Sequence, residues 1–339
     1  MFMLFIRDYA IIELSFGAKW NGQGSGRSAG MIALEKVSKR YGAHRALDEI
    51  SFTVPRGQIL GLLGQNGAGK TTAMNILTGC LAASSGKASI GGFDVMYAPR
   101  QAKRLIGYLP ESAPLYDEMT VRAYLQFACE LKEVEKSAIG PHIEKVARRT
   151  GLQDVMGRKI GNLSKGYRQR VGFAQALCGS PEVIILDEPT AGLDPRQSSE
   201  MRSLIRSLAG EHTVLFSSHI LSEVQSICDR VIILHHGQII CDSAMQALRM
   251  GERRLRAVIA CGEGPLLPKL RQLKSVSRVE VERGGAPGTT QVILTVQGQE
   301  SAERELFTLL SAMQTPVLRL APVEDSLEDV FLRATGSAG

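Results

Sequence analysis

From Met31 to about Met250 short apolar runs alternate with stretches of helical periodicity. Gln58-Ile-Leu-Gly-Leu-Leu63, Val183 to Leu186 and Val231 to Leu234 are nearly continuous apolar runs, the pattern of parallel strands covered by helices on both faces. Met31-Ile-Ala-Leu-Glu-Lys-Val37 reads as an opening strand. After Glu252 the pattern changes. Leu255, Ala257 and Ile259 alternate, as do Val279 and Val281, then Val292, Leu294 and Val296, while Leu306, Leu309, Leu310 and Met313 recur at helical spacing. This predicts a small α+β domain of split βαβ type over residues 251–339. Ser326 with Asp329 reads as an N-cap pair for a short helix presenting Leu327, Val330 and Phe331. Arg253, Arg254 and Arg256 read as a cluster on a strand edge, solvated or turned toward acidic lipid or a partner. Asn21 to Gly30 is rich in Gly and Ser, so residues 1–30 are expected to be a flexible N-terminal extension and the fold to begin at Met31.

The chain has 339 residues, 44% hydrophobic and 22% charged, enough to bury more than one core and unlike a disordered chain or a disulfide mini-protein. No run approaches the roughly 18 apolar residues of a spanning helix. Arg7, Asp8 and Glu13 interrupt the apolar start too soon for a secretion signal. The net charge of +6 favours acidic partners only weakly. The six cysteines lie far apart, with no Cys-x-x-Cys and no His at ligand spacing. They predict neither zinc nor disulfides, but buried free thiols in a reducing cytoplasm.

Two motifs carry chemistry. The strand ending at Leu63 runs into Gly64-Gln65-Asn66-Gly67-Ala68-Gly69-Lys70-Thr71, which opens a helix through Met74, Ile76 and Leu77. This is the strand, glycine loop and helix of a phosphate cradle. The glycines let backbone N–H groups approach phosphate oxygens, the helix start attracts negative charge, Lys70 reaches the β- and γ-phosphates, and Thr71 offers a hydroxyl to Mg²⁺. Val183-Ile-Ile-Leu-Asp187-Glu188 is a buried strand ending in two carboxylates. It would fix Asp187 to hold Mg²⁺, with Glu188 placed to polarise an attacking water.

Three more segments complete a family pattern. Leu163-Ser164-Lys165-Gly166-Tyr167-Arg168-Gln169-Arg170 precedes the second motif, Ala191-Gly192-Leu193-Asp194 follows it, and Ser217-Ser218-His219 ends a further apolar strand. Residues 31 to about 245 thereby resemble the nucleotide-binding subunit of an ABC transporter. The resemblance implies a P-loop NTPase of ABC type, an α/β fold with a helical subdomain at about 112–179 inside an ATPase domain of residues 31–250. It also implies ATP with Mg²⁺ as ligands and ATP hydrolysis as activity. Cofactor contacts fall to Gly64, Gln65, Asn66, Gly67, Ala68, Gly69, Lys70, Thr71 and Thr72, to Tyr41 stacking on adenine, and to Glu111. Ser164 and Gly166 would act from the other subunit of a head-to-tail pair, and Asp194 would couple its two sites. Glu188 and His219 would be catalytic, and Thr71, Glu111 and Asp187 would serve the metal. The helix starting at Ser164 presents Val171, Ala174, Leu177 and Cys178 as one apolar stripe, leaving its first N–H groups for a γ-phosphate.

Ile106-Gly-Tyr-Leu-Pro-Glu111, the Ser164-Lys-Gly-Tyr167 signature and Leu327-Glu-Asp-Val-Phe331 are similar to ABC-2-type export ATPases, closest to the gliding-motility-associated group. The family commonly has Gln at Glu111 and Gly-Gly-Gln at Lys165-Gly166-Tyr167; Ser164 and Gly166 are kept. Ser112 to Tyr116 occupies the stretch that faces the membrane subunit in relatives, with Leu115 and Tyr116 equally readable as subdomain core. The implied partners are an integral membrane permease on another chain and a second ATPase subunit, identical or not, with no direct nucleic-acid contact. The implied location is the cytoplasmic face of the cell membrane. A soluble ABC ATPase acting on nucleic acid or ribosomes is the alternative; the single P-loop and lack of a long heptad arm argue against it.

Overall fold

The computed structural model describes residues 30–245, 253–282, 288–296 and 301–323, and the chain divides into two compact units between Asp242 and Ser243. The N-terminal extension up to residue 29 and the helix expected around Ser326, Leu327, Asp329, Val330 and Phe331 lie outside the described residues.

In the first unit, β1 (Ile32–Tyr41) and β2 (His44–Val54) form an antiparallel hairpin, and β3 (Ile59–Leu63) runs into α1 (Lys70–Leu77). β4 (Ser85–Ile90) and β5 (Phe93–Asp94) join the hairpin in a sheet of order β2-β1-β4-β5. Next come α2 (Pro99–Leu105), β6 (Ile106–Leu109), α3 (Val121–Leu131), α4 (Lys136–Thr150), α5 (Lys165–Leu177) and β7 (Val183–Leu186). The unit continues with α6 (Pro195–Arg206), β8 (Thr213–Ser218), α7 (Leu221–Ile227), β9 (Arg230–His235) and β10 (Gln238–Ala244). The second sheet has the order β10-β9-β3-β8-β7-β6.

Every residue of β3, β7 and β8 is buried, as their apolar runs predict. Each Leu or Ile so removed from water contributes about 1.5–3 kcal/mol. Parallel pairing sets Leu63 opposite Ser218 and Leu186 opposite Phe216, so the loops after these strands leave the sheet at one carboxyl edge. Open α/β sheets bind ligands at that edge.

The helical segment 121–177 is built from stripes. α3 buries Val121, Tyr124, Leu125 and Ala128, and Thr120 caps it by accepting from the Ala123 N–H at 3.2 Å. α4 buries Ile139, Ile143, Val146 and Ala147 and ends at left-handed Gly151. α5 is seated directly on β6, where a Cβ on Gly107 would fall 1.8 Å from the Ala176 carbonyl oxygen. Tyr116 stays 38% exposed while its ring packs edge-on against Tyr124 and Phe127, so it serves the subdomain and still offers surface.

The second unit runs β11 (Arg253–Ile259), α8 (Glu263–Leu270), β12 (Val276–Glu282), β13 (Thr290–Val296), α9 (Ser301–Ala312) and β14 (Val317–Val323). The strands pair antiparallel in the order β12-β13-β11-β14, the split βαβ arrangement. Its core joins Leu255, Ala257, Ile259, Val292 and Leu294 to Leu266, Leu270, Leu306 and Leu310 of the helices. The arginine cluster departs from its expected place. β11 lies inside this sheet, and Arg254 and Arg256 pair with Glu280 at 3.2 Å and Glu282 at 2.8 Å.

The thiols also differ from expectation. All six are free, but Cys80 is exposed and Cys241 and Cys261 are half-buried; Cys129, Cys178 and Cys228 are buried. Among the described residues no helix is long and apolar enough to cross a membrane.

Candidate nucleotide-binding site

The loop from β3 to α1 is held open by its own backbone. Gly69 has φ 107, and a Cβ there would fall 2.6 Å from the Ala46 carbonyl oxygen, so only glycine fits. The Gly237 N–H donates to the Ala68 carbonyl at 3.0 Å and the Asp48 N–H to the Gly237 carbonyl at 2.9 Å, bracing the loop from the β9–β10 turn and β2. No side chain caps the N-terminus of α1, which leaves its first N–H groups for an anion. Lys70 is buried and its Nζ donates to the Gly64 carbonyl at 2.7 Å and the Gln65 carbonyl at 3.3 Å.

A cavity of about 470 Å³ opens over this loop, lined by Gln65 to Thr72 together with Tyr41, Glu111, Glu188 and His219, and also by His44, Ala46 and Ala191. Tyr41 ends β1 half-exposed, with Lys39 Nζ 5.2 Å from its ring centroid. Glu111 is exposed on the loop after β6.

At the floor, Glu188 adopts a left-handed φ of 46 and is 8% exposed. Its N–H donates to Ser217 Oγ at 2.8 Å, and Ser217 Oγ donates to Asp187 Oδ1 at 2.6 Å. One hydroxyl therefore sets both carboxylate residues. Glu188 Oε2 meets His219 Nδ1 at 2.9 Å; a carboxylate only accepts, so Nδ1 carries the proton. Glu188 Oε1 lies 3.4 Å from Lys70 Nζ and has no hydrogen-bond partner. Burial, and then the Asp187 charge, pushes the Tyr108 phenol far above its ordinary range. It stays protonated and donates to Asn75 Oδ1 at 3.2 Å.

Below this floor lies a network that no sequence motif marks. Glu223 is 3% exposed and its Oε2 accepts from Thr190 at 2.8 Å and from Ser218 at 2.7 Å, while Arg202 pairs with Oε1 at 3.7 Å. It ties the loop after Glu188 to the strand end before His219. The available signal was a carboxylate beside Val224 and Ile227 on the buried stripe of α7, since an unpaired buried charge is costly. His44 belongs to no motif either, and only the β1–β2 pairing brings it opposite Tyr41.

Gly64, Asp187, Ser164, Gly166 and Asp194 do not line the cavity. Asp187 lies buried just beneath it. Ser164 and Asp194 cap helices, accepting from the Tyr167 N–H at 3.5 Å and the Gln197 N–H at 2.8 Å. A Cβ on Gly166 would fall 2.7 Å from the Gln197 side chain, and Gln169 Nε2 donates to the Pro189 carbonyl at 3.0 Å. The signature helix thus rests on Pro189 and Gln197, which flank the Ala191 to Asp194 loop on either side.

The ABC transporter family profile matches residues 47–191. The ABC transporter ATP-binding protein NatA of Bacillus subtilis is 40% identical over 66% of this chain and 93% of its own length. The bacitracin transport ATP-binding protein BcrA of Bacillus licheniformis is 33% identical over 90% of this chain and 97% of its own. A solved ATP-binding subunit of an ABC transporter superposes with a TM-score of 0.60 at 28% identity, over 65% of this chain and 92% of its own. A P-loop, a buried carboxylate pair and a signature helix in this arrangement, with relatives matched over nearly their whole length, mean that this chain belongs to the ABC transporter ATP-binding proteins and carries their ATPase domain.

Proposed function

We propose that the chain is the ATP-hydrolysing subunit of an ABC-2-type export system, of the kind found in the gliding-motility-associated group, driving a separate membrane permease from the cytoplasmic face of the membrane. The observation that carries the catalytic reading is Glu188, buried at the cavity floor between Lys70 and His219 with one carboxylate oxygen lacking a hydrogen bond. Phosphate entering the loop draws the Lys70 ammonium away from Glu188. The freed Oε1 then accepts a proton from water, while His219 holds Oε2 and presents its second ring nitrogen to the cavity. Tyr41 offers a face to adenine. Thr71, Asp187 and Glu111 supply the hard oxygen donors that suit Mg²⁺. Held by these residues, Mg²⁺ would supply positive charge to offset the negative charge that develops on the phosphoryl group in hydrolysis.

Ser164, Gly166 and Asp194 stand apart from their own cavity, which supports a head-to-tail pair in which each subunit completes the other's site. ATP closes the pair and hydrolysis reopens it. The export reading draws on the motif resemblance and on a relative named for bacitracin transport that matches both units; the permease selects the cargo, and nucleic acid has no part.

One experiment tests these elements together. Glu188→Gln is co-expressed with the membrane-spanning product of a neighbouring reading frame, purified in detergent with MgATP, and sized by chromatography. The expected species is a permease carrying two ATPase chains with trapped ATP. ATP-bound pairs without the membrane protein would remove the permease assignment, and ATP-bound monomers would remove the pairing.

A further inference from the structure

Three helices of the first unit each bring one soft donor to a single point. Cys129 lies in the last turn of α3, His142 in the second turn of α4, and Cys178 caps the C-terminus of α5. The two sulfurs and an imidazole nitrogen all lie within 4.8 Å of one another. Both thiols are fully buried, while His142 is half-buried and leaves the cluster one edge toward solvent. None of the three lines the nucleotide cavity, and the ATP chemistry uses none of them. The residues are far apart in sequence, which is why cysteine spacing gave no hint of a metal.

Donors about 2.1–2.3 Å from a shared ion at trigonal angles stand about 3.8–4.0 Å apart, so a contraction of about 1 Å closes the site. His142 Nε2 accepts from the Gly179 N–H at 3.1 Å, so that nitrogen carries the lone pair, and the ring also hydrogen-bonds the Leu177 backbone. A backbone partner of this kind orients metal-binding imidazoles. An ion would take the place of the Gly179 N–H.

Charge and donor number select the ion. Lys132 Nζ donates to the Lys103 and Ile106 carbonyls at 3.0 and 2.5 Å and interacts electrostatically with Cys178. Two thiolates, a neutral imidazole, one ammonium and a monovalent cation sum to zero, whereas a divalent cation leaves a positive charge in a buried place. Among the described residues the cluster has three donors, and structural zinc takes four. Soft thiolates favour copper(I). We propose that Cys129, His142 and Cys178 form a three-coordinate site for a soft monovalent metal ion of the copper(I) class. Such an ion ties together α3, α4 and α5, the last of which bears Ser164 at its start.

The test uses the reduced full chain with Cys80, Cys241 and Cys261 changed to Ser, titrated anaerobically with copper(I) from its bicinchoninate complex. A single equivalent should bind, with sulfur and nitrogen neighbours in the copper absorption edge. Cys178→Ser should lower the affinity on the order of 100-fold, at least the loss that follows removal of a partner supporting a metal ligand. MgATP binding reports whether each variant is folded. If Cys178→Ser loses it, the half-exposed His142→Gln decides by the same measurement. No copper taken from bicinchoninate, an affinity unchanged by the deciding variant, or tighter binding of zinc would each overturn the assignment.

Discussion

Two glutamates line the same cavity, yet Glu188 is buried with Ser217, His219 and Lys70 around it, while Glu111 is exposed on its loop. A general base contributes about 10² to 10⁴ in rate, whereas a carboxylate that only offers an oxygen to a metal tolerates an amide. Glu188→Gln should therefore lose about a hundredfold or more of steady-state ATPase activity, and Glu111→Gln should stay within about tenfold. The reverse order would move the base to Glu111. The phosphate-loop residues were legible because they are contiguous, so spacing alone displays the cradle. Glu223 was not, because its role depends on Thr190, Ser218 and Arg202, which the chain delivers from three separate segments.

Among the elements, the seat of α5 on β6 is the tightest contact described. The Ala176 carbonyl cannot yield to a Cβ on Gly107 without moving the helix that carries Ser164. Gly107→Ala should cost about 1–3 kcal/mol as overpacking, seen as a lower urea midpoint with an unchanged slope. An unaltered midpoint would mean that α5 is not seated there. Strands and helices themselves were readable from period, since β3 and β7 are buried on both faces and contain little but apolar residues, and β8 carries the apolar run Val214 to Phe216. Strand order was not readable. Arg254 and Arg256 looked like edge residues because their charges fit an edge, and only the pairing of β11 with both β13 and β14 places them inside a sheet, matched to Glu280 and Glu282.

At the scale of the molecule, the second unit closes a core of its own from four strands and two helices. Residues 243–339 produced alone should unfold in one cooperative step, and a gradual loss of circular dichroism with urea would contradict this. The sequence pattern changes after Glu252, whereas the compact units divide between Asp242 and Ser243. The separation of Ser164, Gly166 and Asp194 from the cavity of their own chain would have a genetic meaning in the head-to-tail pair proposed above. An allele that spoils Lys70 and an allele that spoils Ser164 would each abolish both centres when expressed alone, yet the mixed pair would keep one intact centre, assembled from the undamaged half of each product. Such alleles complement. After gene duplication, the two copies are then free to decay in opposite halves, and an inherited requirement for both genes replaces what one gene once supplied.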